Sequence, residues 1–160
     1  MQNVVRYSLK EVDYPMNTQE LIKKVNAAMS CQCDKRGYAA PVDILMDIGA
    51  LSRRDYEKWR HGQVDYLERV CTMNLSKLSS VLRQIRVYAE GAKLKPSYTC
   101  YKQWGRKKRN GQGKAPVRVL RFSKSGNVNV ERAYATHYLN PYRMEQLKAE
   151  HAGGAENGPS

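Results

Sequence analysis

No stretch of the 160-residue chain approaches the roughly 20 apolar residues that a helical membrane span needs. The first ten residues, Met1 to Lys10, lack the charged start and apolar core of a signal peptide. These absences predict a cytoplasmic protein with no membrane partner. Its four cysteines, Cys31, Cys33, Cys71 and Cys100, are then expected as free thiols. Only Cys31 and Cys33 are close in sequence, and His61, His137 and His151 form no second cluster. The paired spacing of a zinc site is therefore missing, and neither metal nor cofactor is expected.

Catalytic signatures are equally scarce. There is no H-E-x-x-H, P-loop or G-x-S-x-G, and no cluster of carboxylates for two-metal chemistry. What remains for an enzyme is His61, with Glu57 four residues before it, and His137. A histidine pair helped by Lys or Tyr can serve a small metal-independent nuclease. A histidine near a helix end, interacting with the helix dipole, accounts for His61 just as well. The expectation is a protein that is not an enzyme.

Acid is missing where base is most abundant. The chain carries 28 Lys and Arg against 15 Asp and Glu, a net charge of +13. Residues 1–50 hold six of each sign, and residues 51–100 hold ten basic and five acidic. Residues 101–124 hold nine basic residues and no acid, and residues 125–160 hold three basic and four acidic. A local surplus of this kind points to a polyanionic partner more than to solubility, which dispersed or acidic charge serves as well.

Length and composition fit one globular domain over residues 1–150, followed by a Gly-rich, flexible tail at 151–160. Val4 to Tyr14 alternates loosely and reads as a strand. Asn17 or Thr18 caps a helix expected to reach Met29, and Ser30 to Ala40 reads as a loop. Pro41 opens a short helix that Gly49 ends. Ser52 and Asp55 form a capping box, with Leu51 and Tyr56 as its hydrophobic staple, for a helix stopped by Gly62. A third short helix carries Val64, Leu67 and Val70. Asn74 caps the longest helix, expected to Glu90, with Leu75, Leu78, Leu82, Ile85 and Ala89 on its apolar face. The opposite face presents Ser76, Ser80, Arg83, Gln84 and Val87, with Lys77 at the edge.

After Gly91 and Pro96 the chemistry changes. Ser97 to Trp104 and Val117 to Phe122 read as strands flanking a basic tip from Gly105 to Lys114, a charged hairpin. Asn127 to Leu139 fits both periods and is read as strand first, helix after. A short helix follows Pro141 and ends near Glu150.

The predicted class is α+β, with a helical N-terminal two-thirds and a basic-tipped hairpin. Over residues 41–123, short helices, a longer helix with a polar face and a basic hairpin resemble the winged-helix variant of the helix-turn-helix. The resemblance implies a long helix in the major groove and a hairpin on the backbone or minor groove. It departs from that pattern at Cys71-Thr72-Met73, where the glycine common in such turns is absent. The expected nucleic-acid contacts are Lys77, Ser80, Arg83 and Gln84 on the helix. Lys102, Arg106, Lys107, Lys108, Arg109, Lys114, Arg118, Arg121 and Lys124 supply the rest from the hairpin. Tyr98, Tyr101, Trp104 and Phe122 can stack on exposed bases or simply pack the hairpin. The expected partner is nucleic acid, DNA ahead of RNA. An RNA-binding or protein-interaction subunit of a ribonucleoprotein, mobile-element or defence complex is the alternative.

Overall fold

The computed structural model describes residues 17–105 and 117–156. The strand expected over Val4–Tyr14 and the tip cations Arg106, Lys107, Lys108, Arg109 and Lys114 lie outside them, as do residues 157–160. Six α-helices and a three-stranded antiparallel sheet are present among the described residues, so the class is α+β.

Helix α1, Thr18–Arg36, starts where Asn17 accepts a hydrogen bond from the Glu20 N–H at 2.9 Å, so the terminal N–H groups are not left bare. It runs seven residues past the expected end at Met29. The buried stripe of Leu21, Val25 and Met29 continues through Gln32 and Cys33, so the helical period never breaks. Gly37 stops it, with φ 85° in the left-handed region and its N–H bonded to Cys33. A side chain on Gly37 would also collide with Met144. Cys31 and Cys33 therefore sit in a helix rather than a loop, one exposed and one buried.

Helix α2, Pro41–Asp47, buries Pro41, Val42, Ile44 and Leu45. Helix α3, Arg53–Arg60, is capped by the Ser52 hydroxyl, which accepts from the Asp55 N–H at 3.0 Å. It buries Tyr56 and Trp59. The third short helix is a single 3₁₀ turn, Leu67–Val70, anchored by buried Leu67. Helix α4, Leu75–Gly91, opens at Asn74 as expected, with the Lys77 N–H donating to Asn74 Oδ1 at 2.9 Å. Its buried stripe is Leu78, Val81, Ile85 and Ala89. Leu75 is exposed and Leu82 only partly buried, so the inward face is rotated from the expected one. The cause is packing along α1, where Gln84 Nε2 donates to Asn26 Oδ1 at 2.8 Å.

Strands β1 (Tyr38–Ala39), β2 (Lys95–Tyr98) and β3 (Thr136–Leu139) form a sheet in the order β1-β3-β2. Leu139 is opposite Tyr38 on one side and Lys95 on the other. Helix α5, Val128–Ala135, precedes β3, the reverse of the strand-then-helix order expected. Asn127 Oδ1 accepts from the N–H groups of Asn129 and Val130, starting a helix at once, and the strand forms where both neighbours can pair it. Helix α6, Pro141–Glu156, continues past the expected end at Glu150 into the segment expected to be a flexible tail.

The expected hairpin is much reduced. The strand before the basic segment, β2, begins at Lys95 and pairs with β3 rather than with residues 117–122. Across the basic segment there is one antiparallel bridge, Lys102 to Val119. The Gln103 N–H donates to Arg118 O and the Leu120 N–H to Tyr101 O, each at 2.8 Å. Among the described residues, no helix is long and apolar enough to cross a membrane.

Candidate nucleic-acid interface

The two ends of the basic segment are seated on the C-terminal end of α3. Trp59, fully buried, packs against Tyr101 and Phe122 with ring centroids 5.6 and 5.2 Å away. Its indole N–H donates to Arg121 O at 2.8 Å, so one side chain both fills the core and fixes the returning strand. Arg60 donates to Lys102 O at 3.1 Å and to the Tyr56 hydroxyl at 3.3 Å. Its guanidinium lies 4.4 Å from the Trp104 ring centroid and 5.0 Å from that of Tyr101. The Trp104 N–H returns a bond to Arg60 O at 2.7 Å. Gln103 ties the bridge together, donating to His61 O at 3.3 Å and accepting from Arg118 at 3.1 Å.

Beyond the bridge, two carboxylates hold the backbone. Glu131 accepts from the N–H groups of Phe122 and Ser123, at 3.0 and 2.7 Å, and from the Ser123 hydroxyl. Glu68 accepts from the Lys124 N–H at 2.9 Å and from the Tyr134 hydroxyl at 2.8 Å. Charge-assisted bonds of this kind are stronger than neutral ones, so the exit of the segment is fixed. Neither carboxylate forms an ion pair with Lys102, Arg118, Arg121 or Lys124, and these four form none among the described residues.

The expected contact residues divide into groups. Lys102, Arg118 and Lys124 are exposed, Lys102 on the bridge itself and Arg118 one residue before its partner Val119. Arg121 spends its guanidinium on the turn it belongs to, donating to Ser123 O at 2.7 Å and to Lys124 O. On α4, Arg83 is exposed. Gln84 is tied to Asn26, and the Ser80 hydroxyl donates to Ser76 O at 3.1 Å. Lys77 is partly buried in the first turn. The helical group lies against α1 while the hairpin group lies against α3, so the two are built on different supports.

The aromatic residues separate in the same way. Tyr101 and Phe122 are core, not surface. Burial pushes the Tyr101 phenol well above the ordinary tyrosine range, and its hydroxyl meets His137 Nε2 at 2.9 Å. Tyr98 is 58% exposed, with Arg132 over its ring at 5.3 Å. Trp104 is 37% exposed.

The histidines do not meet each other. His61 stands at the Trp104 ring, 5.7 Å between centroids, and the Glu57 carboxylate beside it accepts from Arg53 at 3.1 Å. His137 is stacked on Tyr38 and hydrogen-bonded to Tyr101; burial lowers its pKa, with nearby Arg36 acting in the same direction and Asp43 opposing. Among the described residues no group of three or more His, Cys, Asp or Glu is placed to hold a metal ion.

The supporting residues Arg60, Gln103, Glu68 and Glu131 were not among the residues expected to matter. Apart from Tyr56, four residues before Arg60, their partners lie 8 to 66 positions away, and of these only Glu131, nine residues from Phe122 in a turn-rich stretch, left a local trace. No protein-family model matches the chain, and neither a curated protein nor a solved structure matches it.

Proposed function

We propose that this protein binds nucleic acid without transforming it, gripping phosphates with the basic segment that spans residues 102–124. The observation that carries the reading is the treatment of charge at that segment. Nine cations sit between residues 101 and 124 with no acid among them. Among the described residues, the carboxylates of Glu68 and Glu131 bind backbone N–H groups of the segment and form no ion pair with its described cations. A rigid seat on α3 holds the ends of a strongly positive segment toward solvent, which suits a polyanion whose condensed counterions are released on binding.

Duplex DNA docked in the winged-helix manner is a second reading, favoured by the exposed Arg83 on α4, since a bidentate Arg contact is the commonest way to read guanine. It receives less support than backbone gripping, because Gln84 is engaged with α1.

The test is a binding panel of duplex and single strands at several salt concentrations, with Arg106, Lys107, Lys108 and Arg109 replaced by Ala. Affinity for every ligand falls together, and on duplex DNA the log–log salt slope shrinks by about 0.9 per phosphate that is no longer neutralised. An unchanged slope removes the segment from the interface.

A further inference from the structure

We infer that Trp104 is a stacking platform for an unpaired nucleobase, so that the nucleic acid held at the root of the basic segment is single-stranded there. The inference rests on the nucleic-acid reading above and names the form of ligand that reading would take.

Of the four aromatic residues around the segment, Tyr101 and Phe122 are closed off in the core. Tyr98 stands before the segment on β2, with Arg132 over its ring. Trp104 alone combines exposure with a position at the entry to the segment, one residue before Gly105, whose φ of 77° lies in the left-handed region. Its ring is held in place from several sides. The Arg60 guanidinium lies over it at 4.4 Å, Tyr56 and His61 meet it at steep angles of 87° and 77°, and the backbone N–H of Trp104 is bonded to Arg60 O, fixing the main chain that carries the ring. The Arg60 Nε is buried without a hydrogen-bond partner among the described residues, as fits a guanidinium placed to stack.

A ring fixed in this way and still more than a third exposed loses little conformational freedom when a second flat group covers it. The neighbours suit a nucleotide strand. Lys102 and Arg118 are exposed cations without a carboxylate partner among the described residues, and Val117 and Val119 add exposed apolar surface. Arg on one side of an indole and a base on the other is an arrangement both groups favour. Inside a duplex each base already has neighbours above and below, and only its edges face the grooves. A face-on partner for Trp104 must therefore be unpaired, in DNA or in RNA.

The test measures binding of the full chain to oligothymidylate, oligouridylate and a blunt mixed-sequence DNA duplex, with Trp104→Leu and Trp104→Phe beside the wild type. Thermal melting of each variant checks that it is folded. The chain has two tryptophans, and Trp59 is fully buried, so quenching of the exposed indole on adding oligothymidylate provides a second readout on unaltered protein. The expected result is a loss of roughly 10- to 100-fold for the single strands in Trp104→Leu, partial recovery in Trp104→Phe, and little change for the duplex. Oligouridylate against oligothymidylate separates RNA from DNA. Equal losses on duplex and single strands, or no loss and no quenching, overturn the platform while leaving the phosphate-gripping reading intact. If the wild type binds none of the three, both fall together.

Discussion

The region before residue 50 and the segment from 101 to 124 handle charge in opposite ways. The first holds equal numbers of each sign and ties its key cation inward. Arg36 donates to Gln32 Oε1 at 2.9 Å and to Asp43 at 2.7 Å, and lies over Tyr38 at 4.1 Å. Gln32 in turn reaches Asp47 and the Ala40 N–H. The second has cations in plenty and no acid of its own. The carboxylates that reach it grip its backbone and leave its side chains positive. One region uses charge to hold itself together, and the other is held together by groups that spare its charge. Folding and ligand attraction can therefore be separated by substitution.

The strongest way to break this contrast is at the residue joining the two parts. Trp59→Ala removes a fully buried ring and the donor to Arg121 O. It should cost about 3–5 kcal/mol in urea unfolding, and nucleic-acid affinity should fall with it because the seat of the segment is lost.

Smaller effects should sharpen the separation. Arg36→Ala leaves Asp43 and Gln32 short of a donor and should cost about 1–3 kcal/mol of stability, with nucleic-acid affinity unchanged. Lys102→Ala with Arg118→Ala should do the reverse. Stability should stay within about 0.5 kcal/mol, while the duplex-DNA salt slope should fall by about 0.9 for each phosphate left without its cation. If both pairs of measurements move together, the two uses of charge are not separable.

The smallest effect concerns pH. Burial holds the His137 pKa below its ordinary 6.5, so the unfolded chain takes up a proton that the folded chain resists. Stability from this source is present above about 6.5 and declines as pH falls through it, because the unfolded state binds more protons there. His137→Gln should flatten that part of the stability–pH curve. An unaltered curve would mean that other groups govern acid sensitivity.

How legible all this was in the sequence depended on range. Asn17, Ser52 and Asn74 announced three helices, because a cap is satisfied within three residues. Asn127 was an equally good cap, yet the alternating valines beside it favoured a strand reading. Only pairing with Tyr38 and Lys95 decides where β3 lies. The rotated face of α4 was set by α1, and Leu75 therefore looked like core while lying outside it. At the candidate site, the excess of base was visible from counting. The seat at Trp59, Arg60, Glu68 and Glu131 was not, since most of its hydrogen bonds join residues dozens of positions apart.

The strand order β1-β3-β2 also constrains when the molecule can be completed. The middle strand is the last of the three to be synthesised, and Tyr38 must wait for Leu139, a hundred positions later, to obtain its partner. Until then β1 and β2 are two unpaired edges on a nascent helical body, and closing so long a loop is entropically slow. The helices of the first half can gather as the chain emerges. The sheet that fastens them can form only after the entire basic segment has left the ribosome.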